Sequence, residues 1–237
     1  MNRLYPSMMC VKPDDTRRYC EIFKENGIAG LHIDIMDGSF VPNFTLGTDY
    51  CRYLREISPL PLDIHLMIDK PEDKIKWFPI REGDIVSVHA ESTNHLCRAM
   101  DRIREAGGLP YVAINPATPL AAIEETLPFA AGFLLMTINP GFAGQKLIEP
   151  MIDKAARARQ LFISAGYPEM PLETDGNVSA ENLVRLKTAG ADMFVIGSSG
   201  FLNSSCSAEN LAERINCLLY TSPSPRDISG SRMPSSA

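Results

Sequence analysis

Several features that define whole classes of protein are missing from this sequence. Its six cysteines are scattered along the chain and none forms a CxxC pair, which argues against a zinc ribbon or a disulfide framework. No apolar run approaches the roughly 20 residues that a membrane-spanning helix needs. The N-terminus, MNRLYPSMMC, lacks the long apolar segment of a signal peptide. We therefore predict a reduced, cytoplasmic protein with no membrane partner.

An excess of basic charge is also missing. The formal net charge is −6 at pH 7, whereas a nucleic-acid binder needs a basic surface to contact phosphates. The composition therefore predicts no nucleic-acid partner. The 237 residues, 45% of them hydrophobic, suit one large domain or two small ones.

The sequence does contain a regular alternation of short β-type runs and helical patterns. The eight strand candidates are residues 4–9, 30–36, 61–68, 84–90, 110–115, 132–138, 171–176 and 192–197. The segments between them carry helical signals, such as Pro13 at the start of one helix and Ser179 as the cap of another. Eight strands and eight intervening helices, without a break in composition, predict a single-domain α/β TIM (β/α)8 barrel over residues 1–219.

An open, doubly wound sheet is the alternative architecture. Such a sheet more naturally has fewer strands and a glycine-rich loop after the first of them. The first strand here leads into SMMCVKPDD, which contains no such loop. The regular eightfold alternation therefore favours the closed barrel.

The last 18 residues differ from the rest of the chain. Residues 220–237 read YTSPSPRDISGSRMPSSA, rich in Ser and Pro and without apolar periodicity. A segment of this kind buries too little surface to offset its ordering entropy, which predicts disorder. It also resembles translated read-through of a sequencing adapter, so we interpret it as a non-native tail.

Polar residues share one face of the second predicted strand. In LHIDIMDG (31–38), His32, Asp34 and Met36 alternate with apolar residues, and side chains two apart point to the same side of a strand. In a barrel, that side faces the lumen, and active sites gather at the C-terminal ends of the strands. Further polar or sulfur-bearing candidates near the strand ends are Asp63, His65, Met67, His89, Glu91, Met136, Glu173 and Asp175.

Four of these side chains, from three strands, can converge on one ion: His32, Asp34, His65 and Asp175. Imidazole suits zinc or iron, and carboxylates suit zinc, iron or manganese. A single histidine on a strand is usually an ordinary core residue. Two on neighbouring strands, each in step with a carboxylate or a methionine, favour a metal site. For His89, an ordinary core position and a supporting role both remain open.

Glycine-rich loops follow the later strands and suggest a phosphate site. NPGFAGQ (139–145) follows the sixth strand, DGN (175–177) the seventh and GSSG (197–200) the eighth. Glycines allow backbone amides to approach an anion closely, and the loops after the late strands are the usual phosphate-binding place in this barrel. Each loop alone is a weak signal, and the set is more specific.

These motifs together resemble those of the ribulose-phosphate 3-epimerase family. The matching stretches run in the family's order from residue 6 to residue 200: PSMMC, HIDIMDGSFVPNFTLG, DIHLMI, VHAES, NPATPL, MTINPGFAGQ, ETDGN and GADMFVIGSSG. The resemblance implies a TIM barrel that binds one divalent metal ion (Zn, Fe, Mn or Co) and inverts C3 of a ketose phosphate. It also implies a homo-oligomer.

The resemblance assigns roles to individual residues. His32, Asp34, His65 and Asp175 would hold the metal, and Asp34 and Asp175 would also act as acid and base on opposite faces of the sugar. The residues implied in substrate binding are Ser7, His65, Gly141, Phe142, Ala143, Gly144, Gly176, Asn177, Gly197 and Ser198. The residues implied to line the site are Met36, Met67 and Met136.

The chemistry of such a reaction accounts for these residue types. A proton is removed from a carbon next to a carbonyl and returned on the other face, so two carboxylates on distant strands are needed. The resulting enediolate is anionic, and a metal ion stabilises that charge. Methionine side chains form an apolar wall without a proton to donate.

Three departures from the family's usual pattern bear on the substrate. Asn177 stands where the family often has Gly, Ser39 where it often has His, and Ser199 with Gly200 where it often has a bulkier pair. The PGFAGQ and GSSG loops more closely resemble those of the related D-allulose-6-phosphate 3-epimerases. The leading prediction remains conversion of D-ribulose 5-phosphate to D-xylulose 5-phosphate in the pentose phosphate pathway.

Two alternatives belong to other classes. A metal-free decarboxylase of the orotidine type would show a catalytic lysine on a strand, and no strand candidate contains lysine. A barrel retained only as a binding scaffold would have lost one of the four candidate ligands, and all four are present.

Overall fold

The computed structural model describes residues 1–222. Its strands are β1 (Arg3–Pro6), β2 (Leu31–Asp37), β3 (Phe44–Thr45), β4 (Leu62–Met67), β5 (Ile85–His89), β6 (Leu109–Ile114), β7 (Gly132–Met136), β8 (Leu172–Asp175) and β9 (Met193–Ile196). Hydrogen bonds join these strands into one sheet in the order β1-β9-β8-β7-β6-β5-β4-β2-β3. All pairings are parallel except that of β2 with β3.

The sheet closes on itself between its first two strands in the chain. β1 pairs with β9, and a parallel bridge between Ser7 and His32 brings the end of β1 against β2. Eight parallel strands therefore form the predicted TIM barrel, and each predicted segment overlaps one of them. β3 was not predicted, because two residues are too few to show periodicity.

The helices cover the outside of the barrel. They are α1 (Thr16–Glu25), α2 (Thr48–Ile57), α3 (Pro71–Lys74), α4 (Leu96–Glu105), α5 (Pro150–Ser164), α6 (Ala180–Thr188) and α7 (Leu211–Leu219). Ser179 caps α6 as predicted, and its Oγ accepts from the backbone N–H of Asn182 at 3.2 Å. None of the helices in residues 1–222 has the length and apolar character to cross a membrane.

The prediction of an α-helix in every connection was wrong for the segment after β6. Two 3₁₀ helices, Leu120–Ala122 and Glu124–Thr126, stand there. Pro116 and Pro119 precede them, and proline has no N–H to donate to a helical hydrogen bond. The connection still covers the sheet, because Leu120 is buried. The predicted disordered, non-native tail lies, from residue 223 onward, outside the described residues.

The two faces of the barrel strands have different surroundings. Leu31, Ile33 and Ile35 belong to the large core between sheet and helices. Inside the barrel, the end at which the strands begin is filled by a separate apolar cluster of Tyr5, Ile85, Tyr111 and Met193. Polar residues lie above this cluster, toward the C-terminal ends of the strands. This arrangement leaves the C-terminal end of the barrel as the place for a site.

Candidate active site

A cavity opens at the C-terminal ends of the barrel strands. The residues that line it include Ser7, Cys10, Asp34, Met36, Met67, Met136, 141–144, 175–178 and 197–199. The structure thus brings together the residues predicted to surround the substrate, with one exception. His65 is fully buried beneath the cavity and does not line it.

The four predicted metal ligands lie together, with Asp34 and Asp175 in the lining of the cavity and the fully buried His32 and His65 behind them. Each offers one ligand atom, and these atoms lie within 4.8 Å of one another. Oδ1 of Asp34 is 3.3 Å from Nε2 of His32 and 3.5 Å from Nδ1 of His65. Oδ2 of Asp175 is 3.8 Å from the same Nδ1 of His65. The cluster is built by β2, β4 and β8.

The orientation of His32 is fixed from below. Its Nδ1 lies 2.5 Å from Oδ2 of Asp63, a fully buried residue of β4. With Nδ1 donating to Asp63, Nε2 is left facing Asp34 without a hydrogen-bond partner. Asp63 shares the inward face of its strand with His65, but the sequence did not reveal this contact, which depends on the register between β2 and β4.

His65, like His32, has one ring nitrogen held by a neighbouring side chain and the other without a partner, but its neighbour is a histidine. Its Nε2 lies 2.8 Å from Nε2 of His89, and its Nδ1 has no hydrogen-bond partner. Burial lowers the pKa of His65 and that of His89, the latter to about 4, so both rings are neutral at pH 7. His89, left open between two roles by the sequence, is therefore a direct neighbour of a candidate ligand.

The residues present fit a divalent metal ion. Two buried ring nitrogens, Nε2 of His32 and Nδ1 of His65, lack hydrogen-bond partners and both face carboxylate oxygens. Buried polar atoms are nearly always paired, and a cation between them would satisfy the nitrogens and the carboxylates together. Two imidazoles and two carboxylates are ligands that zinc, iron, manganese or cobalt accept.

The two carboxylates have different surroundings. Burial works to raise the pKa of Asp34, but the adjacent His32 and His65 hold it well below its usual range. The hydroxyl of Ser7 also donates to Oδ2 of Asp34 at 2.6 Å, so Ser7 orients this carboxylate as well as lining the cavity. Burial and the charge of Asp34 raise the pKa of Asp175 to about 7. A bound cation would lower that pKa by stabilising the charged form.

The glycine-rich loops line the same cavity. Gly176 has φ of 118°, and a Cβ there would lie 2.9 Å from the backbone N of Ile138, so only glycine fits. The side chain of Asn177 joins two loops, since its Nδ2 donates to the carbonyl oxygen of Gln145 at 2.7 Å and to Oγ of Ser199 at 2.9 Å. No pattern in the sequence predicts this link.

The three methionines predicted to line the site are buried and border the cavity. Met36 and Met67 lie opposite each other in register and pack with Val41. Met136 packs with Leu134 in a separate small cluster. Their exposed fractions are 5%, 1% and 1%, so they form an apolar wall that is closed to bulk solvent.

Glu173 lies deeper in the barrel than the four candidate ligands. It is fully buried, and neither of its carboxylate oxygens has a hydrogen-bond partner. Burial and the nearby Asp63 raise the pKa of Glu173 well above its usual range. It does not border the cavity.

Comparison with known proteins places the chain in a family. The model described as "Ribulose-phosphate 3 epimerase family" matches residues 3–201. The chain is 40% identical over 176 residues to the ribulose-phosphate 3-epimerase of Bacillus subtilis, covering 74% of this chain and 81% of that protein. It is 36% identical over 198 residues to that of Treponema pallidum, covering 84% and 90%.

A solved structure supports the fold independently of sequence. A mutant tryptophan synthase alpha-subunit of Pyrococcus furiosus superposes with a TM-score of 0.66 at 16% identity, covering 92% of this chain and 99% of that chain. At this identity the likeness concerns the barrel alone. The family match spans every strand of that barrel, and the resemblance seen in the motifs is confirmed: this chain belongs to the ribulose-phosphate 3-epimerase family.

Proposed function

We propose that this chain interconverts D-ribulose 5-phosphate and D-xylulose 5-phosphate by removing the proton at C3 and returning it on the other face. The observation that carries the proposal is the meeting of Asp34 and Asp175, from β2 and β8, in one cavity. The B. subtilis and T. pallidum relatives bear the name of this activity. The reaction belongs to the pentose phosphate pathway.

The two carboxylates are the acid and the base of this reaction. Asp34 and Asp175 approach the cavity from different strands, so each faces a different side of a sugar held between them. One removes the C3 proton while the other supplies a proton to the opposite face, and the roles reverse for the reverse reaction. Ser7 keeps Asp34 in place by donating to its second oxygen.

One divalent metal ion is the proposed cofactor, and His32, Asp34, His65 and Asp175 would hold it. When bound, it supplies Lewis-acid stabilisation of the negative charge that develops next to C3. The protein contributes the fixed orientation of both imidazoles and the dry methionine wall. Met36, Met67 and Met136 have no proton to exchange with the reacting carbon, and their apolar side chains keep water away from it.

The glycine-rich loops after β7, β8 and β9 are the proposed site of the phosphate. They contribute 141–144, Gly176, Asn177, Gly197 and Ser198, of which Gly141, Gly144 and Gly176 have left-handed φ angles of 116°, 81° and 118°. Backbone amides in such turns can approach an anion closely. Ser7 would contact the sugar, whereas His65, buried below the cavity, acts on the metal rather than on the substrate.

Solvent exchange at C3 tests this proposal. Incubation of the purified protein with D-ribulose 5-phosphate in D2O should place deuterium at C3 and yield D-xylulose 5-phosphate. Exchange should disappear in Asp175→Asn and after metal removal, and return when a divalent metal is restored. Robust exchange by the fully metal-free protein would contradict the metal assignment, and faster turnover of D-allulose 6-phosphate would contradict the five-carbon substrate.

Cytoplasmic location and homo-oligomeric state remain predictions from the sequence and its resemblance. Sedimentation of the purified protein would test the second of them.

A further inference from the structure

A chain of contacts leads from the candidate ligand His65 to the loop after β6. Nε2 of His65 lies 2.8 Å from Nε2 of His89, and the two rings stack with centroids 5.0 Å apart. Nδ1 of His89 lies 3.3 Å from Oε2 of Glu91. Both imidazoles are fully buried. The proposed mechanism has no use for His89 or Glu91, which raises the question of what they do.

At the far end of this series of contacts, the carboxylate of Glu91 accepts two hydrogen bonds from the loop after β6. Oε1 of Glu91 accepts from the backbone N–H of Asn115 at 2.8 Å and from the hydroxyl of Thr118. A backbone N–H can only donate, so the atom at this position must be an acceptor. The loop itself is anchored by Lys154, a buried lysine whose Nζ donates to the carbonyl oxygens of Asn115, Pro116 and Thr118.

The positions of the hydrogens follow step by step from that end. Ionised Glu91 only accepts, so Nδ1 of His89 carries the hydrogen between them. Nε2 of neutral His89 is then an acceptor, and the hydrogen between the two rings belongs to Nε2 of His65. Nδ1 of His65 is left with its lone pair, and this is the atom that faces Asp34 and Asp175.

We propose that His89 and Glu91 are positioning residues that fix the tautomer of His65 in which Nδ1 is free to bind a metal ion. The inference rests on the metal site of the proposed function. His32 is fixed in the same sense by Asp63 alone. For His65 the influence of the acceptor Glu91 passes through a relay of hydrogen bonds, because His89 lies between the two residues. Such partners of a ligating histidine orient the ring and set its tautomer.

Glu91→Gln reverses the polarity of the relay with almost no change of shape. The Gln oxygen must stay at Asn115, whose N–H still needs an acceptor, so its NH2 group faces Nδ1 of His89. That nitrogen then becomes an acceptor and Nε2 a donor. His65 is driven to carry its hydrogen on Nδ1, where a metal ion would bind.

The test is the affinity of the metal-free protein for Co²⁺, followed by calorimetry and by the visible absorption of the bound ion. We expect Glu91→Gln to weaken Co²⁺ binding by about 10–100-fold, the usual effect of losing such a partner. Thr118→Val removes one hydrogen bond to the same carboxylate without reversing it, so a loss of less than about threefold is expected. Glu105→Gln, at an exposed ion pair on α4, is the distant control.

The outcomes separate this inference from the proposed function. Equal losses in Glu91→Gln and Thr118→Val, or no loss in either, would overturn the tautomer role while leaving the metal site intact. A wild-type protein that binds no Co²⁺ would instead overturn the metal site itself. If Glu91→Gln fails to fold, ¹⁵N NMR of the wild-type histidines decides. Hydrogen on Nε2 of His65 and on Nδ1 of His89 supports the proposal, and any other arrangement refutes it.

Discussion

Replacement of Asn177 by glycine tests how the two glycine-rich loops are held together. Asn177 follows β8 with φ of 52°, a left-handed conformation that glycine adopts more readily. Its amide group donates to Gln145 in the loop after β7 and to Ser199 in the loop after β9. We predict that Asn177→Gly raises the KM for the sugar phosphate more than it lowers kcat, because the loops lose this link while the carboxylates are untouched.

The structure gives the size of the effect. Oδ1 of Asn177 also accepts from Nδ2 of Asn182. Hydrogen bonds of this kind contribute about 0.5–1.5 kcal/mol each, so the loss of all three costs about 1.5–4.5 kcal/mol. Relief of the left-handed backbone returns roughly 1–2 kcal/mol. The free energy of unfolding should therefore fall by no more than about 3.5 kcal/mol. About 1.4 kcal/mol of the free energy lost with these hydrogen bonds, if it orders the loops for the phosphate, corresponds to a tenfold increase in KM.

Asn177→Ala is the matched variant. It loses the same three hydrogen bonds but keeps the unfavourable φ, so it should share the KM increase and unfold more easily than Asn177→Gly by about 1 kcal/mol. Steady-state epimerase kinetics and urea denaturation measure the two quantities separately. KM values within about twofold of the wild type in both variants, or a fall in kcat at constant KM, would refute the reasoning.

Three further predictions concern the groups beneath and around the cavity. Asp63→Leu removes the acceptor that orients His32 and should weaken Co²⁺ binding by about 10–100-fold in a titration of the metal-free protein. Lys154→Met leaves the carbonyl groups of the loop after β6 without their donor and should lower the free energy of unfolding in urea by about 2–4 kcal/mol, whereas Lys24→Met at an exposed position of α1 should not. Backbone N–H groups in the loops after β2 and β4 overcome the effect of burial and lower the pKa of Asp37 to about 2 from 3.8. Its contribution is therefore complete above pH 3.8 and is lost as the pH falls toward 2, so the stability difference between wild type and Asp37→Asn should shrink over that window in acid denaturation.

Local patterns were sufficient to predict the strands and the inward residues. The alternation in LHIDIMDG places His32 and Asp34 on one face of β2 whatever the rest of the fold does, because side chains two apart in a strand point the same way. A (β/α)8 barrel then brings that face to the lumen. The same two steps, applied to β4 and β8, give the other two candidate ligands, His65 and Asp175.

Contacts that depend on register or on loop packing could not be predicted in this way. Glu91 lies two residues after His89, but its other oxygen is held by Asn115 and Thr118, which are 24 and 27 residues away. The role of Asn177 likewise depends on two loops that meet only in the closed barrel. The missing helix after β6 is a local effect of Pro116 and Pro119, so it could have been predicted from the sequence.

The order of polar residues on two neighbouring strands suggests how the sequence selects the register that builds this site. β2 reads His32-x-Asp34, whereas β4 reads Asp63-x-His65, so parallel alignment places a histidine opposite an aspartate at both heights. A shift of two residues would keep the inward face inward, but it would bring His32 opposite His65 and would leave Asp34 opposite Met67. Asp63 would then lose its contact with Nδ1 of His32, at a cost of about 1–3 kcal/mol or more for a buried charged group. The pair of His32 and Asp63 therefore does more than orient His32. Together with the pair of Asp34 and His65, it favours the observed alignment, in which each of these histidines lies opposite an aspartate.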